Sequence, residues 1–179
     1  VIATAARLLH WVAEDARNAR ANRAETRIQL DATRIEKAGY KHFMAKEIAE
    51  QPVVLGDALS HYIKGDRIVL PEALDFRDVD RLTLVGCGTA SLAAYVARYW
   101  FESLAGLPCD LDVASEFRYR EPPLSPKSWA LFVSQSGETA DTLASLTWCK
   151  AQGLKTAAVV NVHTSSMARE AEILWPTHA

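Results

Sequence analysis

Two short runs concentrate the small and hydroxylated residues of this sequence: Gly86–Ser91, GCGTAS, and Ser134–Thr139, SQSGET. Each follows an apolar stretch, RLTLV before the first and WALFV before the second, and each opens a segment of helical character. Glycine at 137 lets the backbone come close to a ligand. The first N–H groups of a helix have no partners within it and face whatever sits above them, an arrangement suited to an anion. Ser134, Ser136 and Thr139 add hydroxyl donors and Gln135 an amide, with no positive charge among them. A neutral cradle of this kind fits a phosphomonoester that has to be released again. The competing reading makes Ser136 a helix cap and leaves Thr139 in the first turn. Three hydroxyls around one glycine favour phosphate.

The first run brushes against the dinucleotide fingerprint as Gly86-x-Gly88-x-x-Ser91, with serine where the last glycine belongs, and the acidic residue required after the second strand would be Glu116. That match is loose, and Thr89 with the backbone around Gly88 serves equally well for the hydroxyls of a sugar. Cys87 has the chemistry of a nucleophile but no histidine near it in sequence, so it reads as a small apolar residue under the loop. Glu138 reads as a partner of its helix dipole rather than a general base. His42 and His61 fall in a helical region, where surface or packing roles are expected, and His163 lies near the end of a strand.

The elements that must position these runs alternate as βαβ units. Beyond Asp80, RLTLVG, CDLDVAS, WALFVS, KTAAVVNV and EILWP read as five strands; SLAAYVARYWFESLAG, ETADTLASLTWCKAQG and SSMAREA read as helices, and REPPLSPKS as a loop. Strands this apolar predict a parallel sheet of flavodoxin-like winding covered on both faces. In the order 2-1-3-4-5, strands one and three are neighbours and the two glycine-containing loops form one pocket at the switch point. Upstream, residues 38–79 read as a helical arm, with two helices meeting near Gln51 because Pro52 fits a first turn better than a helix interior. Residues 1–37 are an Ala- and Arg-rich segment of uncertain origin, with Leu8, Leu9 and Val12 on one helical face; residues 80–179 are the α/β domain.

Composition narrows the partners. The chain has 179 residues, 49% of them hydrophobic, and a formal charge of −2 with basic and acidic residues interspersed. That allows one full core and gives no electrostatic case for nucleic acid or an anionic membrane. Cys87, Cys109 and Cys149 are odd in number and far apart, without a C-x-x-C pair or a histidine at ligand spacing, which argues against disulfides and zinc. No metal or other cofactor is expected. No apolar run approaches the length of a membrane span, and Arg7 and Glu14 interrupt the opening too early for a signal sequence, so a soluble, unprocessed, cytoplasmic protein is expected. The first residue is Val rather than Met, and the chain reads as a piece of something longer.

Four stretches, GYKHFMAKEIAEQP, GCGTA, ARYWFESLAGLPCDLDVASEFRYR and FVSQSGETADTL, together resemble the isomerase region of the glutamine–fructose-6-phosphate transaminase (isomerizing) family. The resemblance runs from about Ala38 to the end. It implies the first of two sugar isomerase (SIS) domains, each a five-stranded parallel sheet between helices. It implies that Ser134, Gln135, Ser136 and Thr139 bind the phosphate of fructose 6-phosphate or glucosamine 6-phosphate and that Thr89 meets the sugar, with Gly86, Cys87, Gly88 and Gly137 as supporting loop. The family often has serine where Ala90 stands, which leaves Ser91 as the next hydroxyl. The family's partners would be a second SIS domain, a glutaminase domain and a second subunit in a homodimer. Its catalytic base, lysine and histidine lie in the second SIS domain and tail, so the fragment alone is expected to bind sugar phosphate without turning it over. The alternative of another class is a regulatory SIS module that senses a phosphosugar.

Overall fold

The structure, a computed structural model, describes residues 36–70 and 75–178; the expected helical face at Leu8, Leu9 and Val12 lies outside them. The chain divides into two units, residues 1–48 and 49–179. Within the described part of the first, the buried Lys46 ammonium donates to the Glu36 carbonyl at 2.7 Å, and the Lys37 ammonium lies 5.4 Å from the centre of the Phe43 ring.

Helix α1 spans Phe43–Tyr62 as one helix with Pro52 in its interior, so the expected break near Gln51 does not occur. Proline removes a single backbone donor, a loss confined to about one turn. Downstream, Val54, Leu55, Ala58 and Tyr62 line a cavity of about 490 Å³ together with Val159 and Trp175, and the Tyr62 hydroxyl donates to the Pro176 carbonyl at 2.7 Å. The Tyr62 bond anchors the end of the helix that lies beyond the proline. A two-stranded hairpin follows, β1 Ile63–Lys64 and β2 Arg67–Ile68, which the sequence reading did not separate from the arm.

The second unit then builds β3 Arg81–Gly86, α2 Thr89–Ala105, β4 Cys109–Val113, α3 Ala114–Arg120, β5 Ser128–Ser134, α4 Ala140–Ala151, β6 Lys155–Val160, α5 Ser166–Glu170 and β7 Ile173–Pro176. The five strands β3 to β7 pair in parallel in the order β4-β3-β5-β6-β7, the 2-1-3-4-5 winding expected from the sequence. Helix α3 is a second element that the sequence does not show: Ala114 and Ser115 continue the preceding strand in the sequence reading, and only Ala114 and Phe117 of ASEFRYR are buried, too few for a helical period to appear.

Both faces of the sheet are covered because the strands are apolar on both sides. Leu82, Leu84, Trp129, Leu131 and Ala157 point to one face, where Ala94 and Phe101 of α2 pack on them. Val85, Ala130, Phe132, Ala158 and Val160 point to the other, under Phe117 of α3, Leu146 and Cys149 of α4 and Met167 of α5. The alternation is the two-residue period of a strand applied to a sheet with no wet side. Helices α3 and α4 are tied at their solvent edge by Arg118 to Asp141 at 2.7 Å; the pair is half-buried and open to screening by water, so apolar burial decides the packing.

Leu146 is fully buried at the centre of the second face. Its replacement in Leu146→Ala should therefore cost about 2–5 kcal/mol, measured as a lower midpoint of urea unfolding with an unchanged slope.

Candidate functional site

The two glycine-containing loops leave the carboxyl ends of neighbouring strands. Gly86 of β3 stands in register with Val133 of β5, and the helix after β3 lies on the opposite face of the sheet from the helix after β5. A crevice opens at such a reversal. The loops are thereby brought to one place by topology, as their sequence positions require.

In the second loop the hydroxyl oxygen of Ser134 accepts from the Gly137 N–H at 3.0 Å, and that of Ser136 accepts from the Glu138 N–H at 3.2 Å. Each oxygen is fixed by a backbone donor while its own proton is left without an acceptor among the described residues. Thr139 is the N-cap of α4, and its side chain makes no capping bond. Gln135 is exposed, Ser136 and Thr139 are half-buried, and Ser134 is buried. The reading of Ser136 as the cap of the helix thus gives way to Thr139, since α4 begins at Ala140.

Gly137 carries the sharpest constraint. Its φ is +66°, and an added β-carbon would stand 2.1 Å from the Ser165 hydroxyl oxygen and 2.6 Å from its β-carbon. The turn is clamped to the next loop along the sheet: the Gly137 carbonyl accepts from Met167 N–H at 3.1 Å and the Gln135 carbonyl from Asn161 N–H at 3.2 Å. The Glu138 carboxylate accepts from Ser166 N–H at 2.8 Å, and this bond holds its pKa below the usual carboxylate value. Glu138 is a clasp between loops, which leaves it poorly suited to take a proton. Ser165, Ser166 and Met167 are the supporting residues that the sequence reading placed only in a short helix; the hydroxyl pair opening that helix was their one visible signal.

In the first loop Gly86 is also crowded, less tightly than Gly137, with an added β-carbon at 2.9 Å from the Ser91 backbone nitrogen. Gly88 takes a φ of +58° as the N-cap of α2, and Thr89, the first residue of that helix, is exposed. The Ser91 hydroxyl donates to the Gly88 carbonyl at 2.6 Å, so its proton closes the turn. Ala90 offers no polar side-chain atom. Cys87 is half-buried and packs against the second-face core. Burial pushes the Cys109 thiol up to about 11 and the Cys149 thiol up to about 12, so neither is a nucleophile at neutral pH.

Glu116 lies in the first turn of α3, beyond the end of β4 at Val113, so it is not at the strand terminus that the dinucleotide fingerprint needs. His61, His163 and His178 gather elsewhere, with the His61 and His178 rings 4.0 Å apart and His163 6.1 Å from His178; burial, then the neighbouring imidazoles, lower the His178 pKa. His42 is exposed just before α1. Among the described residues no group of three or more His, Cys, Asp or Glu side chains is placed to hold a metal ion, and no helix is long and apolar enough to cross a membrane.

The clash at Gly137 has a measurable cost. Gly137→Ala should lose about 2–4 kcal/mol of stability by urea unfolding, the sum of left-handed strain and overpacking. Adding Ser165→Gly should recover the overpacking part and leave the strain.

Comparison with known proteins agrees with this fold. A family model described as SIS domain matches residues 75–178. Glutamine–fructose-6-phosphate aminotransferase [isomerizing] of Bradyrhizobium diazoefficiens is 56% identical over 154 residues, covering 84% of this chain and 25% of the relative. The protein of the same name from Brucella suis is 58% identical over 148 residues, covering 81% and 24%. The chain therefore spans about a quarter of the length of the curated relatives it matches. Among solved structures, the C-terminal domain of glucosamine-fructose-6-phosphate aminotransferase from Francisella tularensis superposes with a TM-score of 0.72 at 38% identity, over 79% of this chain and 41% of that one. Glucosamine-6-phosphate deaminase from Thermotoga maritima, at 21% identity and a TM-score of 0.64 over 77% and 41%, shares the fold. With more than half its length matched by the model, and with the winding and paired loops described above, the chain belongs to the SIS domain family.

Proposed function

We propose that the crevice between the two loops holds the phosphate end of a hexose 6-phosphate, either fructose 6-phosphate or glucosamine 6-phosphate. The observation that carries this reading is the pair Ser134 and Ser136, whose oxygens are pinned by backbone N–H groups while their protons remain to be donated. A phosphate accepts and never donates when fully ionised, so it is the complementary ligand. Gln135 and Thr139 extend the donor set, and Gly137 keeps the turn tight enough for all of them to converge. Thr89 meets the sugar hydroxyls from the first loop, with Gly86, Cys87 and Gly88 shaping its backbone.

On this reading the chain is the first SIS domain of a cytoplasmic, homodimeric glutamine–fructose-6-phosphate aminotransferase of amino-sugar synthesis. It works there with a glutaminase domain and a second SIS domain. The loops described here grip the phosphate, whereas rate requires groups at the reacting carbons. The isolated 179 residues are expected to bind the ketose weakly, at about millimolar, without isomerising it or hydrolysing glutamine.

Calorimetric titration with fructose 6-phosphate tests the site. Ser136→Ala should weaken binding by roughly tenfold or more, since hydrogen bonds to a charged group contribute about 1.5–3 kcal/mol each, and the fold should be unchanged by circular dichroism. Equal affinities would remove Ser136 from the site. NAD at similar concentration should shift no amide resonance of Thr89 or residues 136–139, and shifts at Gly86 and Glu116 would favour a dinucleotide instead.

A further inference from the structure

Three imidazoles meet where α1 ends against the carboxyl edge of the sheet, although they come from distant parts of the chain: His61 from the last turn of α1, His163 from the loop after β6 and His178 from just beyond β7. The His61 and His178 rings lie 4.0 Å apart between centres, and His163 lies 6.1 Å from His178. The Tyr62 ring meets the group edge to face, 4.8 Å from His61 and 6.3 Å from His178, and its hydroxyl donates to the Pro176 carbonyl at 2.7 Å. The end of α1 is thus seated on two strand ends through side chains whose charge changes near neutral pH.

The middle ring is built to stay neutral. His178 is half-buried, its Nε2 is enclosed, and that nitrogen has no hydrogen-bond partner among the described residues. A neutral imidazole can leave one nitrogen there as an idle acceptor, whereas the charged ring would bury an N–H without an acceptor. From α1, Asp57, His61 and Tyr62 face this ring, and His163 faces it from the loop after β6. Burial first, then His61 and His163, hold its pKa below the ordinary value of about 6.5, against the weaker opposing pull of Asp57. Its backbone takes a φ of +57°, a conformation with a steric cost for a residue that carries a β-carbon, and release would relieve it. A detached ring takes up a proton at its ordinary pKa and the packed ring only at lower pH, so the packed arrangement is complete above about pH 7 and is lost as pH falls through about 6. A proton on both His61 and His178 sets like charges about 4 Å apart, which favours separation roughly fivefold even at the dielectric of water. We propose that His61, His163 and His178 form a latch that holds the end of α1 on the carboxyl ends of β6 and β7 at neutral pH and releases it on acidification. The latch stands whether or not the crevice between the two loops takes a sugar phosphate.

Hydrogen exchange of the 179-residue chain, followed by mass spectrometry at about pH 7.5 and about pH 5.5 and corrected for the intrinsic pH dependence of exchange, is the test. Peptides covering residues 54–62 should open at least about fivefold more at the lower pH, while those covering α4 should not change. His178→Gln should remove most of that difference, because it takes away the ring that both other imidazoles oppose. His61→Gln should act in the same direction and stands in where the first variant fails to fold. His42→Gln, exposed just before α1, should keep the full difference. No difference in residues 54–62 between the two pH values would overturn the latch. So would a difference that survives both cluster variants, that His42→Gln removes, or that α4 shares, since its cause would then lie elsewhere or in general acid unfolding.

Discussion

The carboxyl edge of the sheet depends on there being no β-carbon at Gly137. The hydroxyl of Ser165 occupies the space where one would stand, 2.1 Å from its position, and the backbone turns there with a φ of +66°. Because the turn comes this close, its carbonyls reach Asn161 and Met167, and Glu138 reaches the Ser166 N–H. Those bonds fix the path of the loop, and the path aims the Ser134 and Ser136 oxygens at their own backbone. The path of the loop and the placement of its hydroxyl oxygens have one cause.

The same economy of space appears one strand away. Gly86 lets the amino end of α2 settle against β3, and the Ser91 hydroxyl closes the turn on Gly88. Two crowded glycines stand on adjacent strands whose following helices lie on opposite faces, and each loop is held by its own backbone. Backbone fixed in this way keeps little conformational freedom, and neither loop carries a lysine or arginine.

Helix α2 links this edge to the outer surface. Thr89 begins it at the loop, Ala94 and Phe101 hold it to the sheet, and Leu92, Tyr95, Val96, Tyr99, Trp100 and Leu104 are exposed. An amphipathic helix normally shows one apolar face; this one shows two, and the sheet accounts for only the first.

The sequence by itself determined the strand run, the winding and the two loops, because these are local: apolar strands of six or so residues, hydroxyls grouped around a glycine, and helices of clear period between them. It also made a dinucleotide reading possible through Glu116, since spacing alone does not show where a strand ends. Tertiary structure decided what depended on distant partners. Pro52 remained inside α1, whose far end is held by the bond from the Tyr62 hydroxyl to the Pro176 carbonyl, more than a hundred residues away in sequence. Helix α3 formed around only two buried residues, Ala114 and Phe117, because the sheet beneath them needed covering. Glu138 became a clasp and Gly137 an obligate glycine only through Ser165 and Ser166, some thirty residues away, whose approach is set by the parallel pairing of β5 with β6. Contacts of that kind carry no periodicity in the sequence, and packing alone brings them into being.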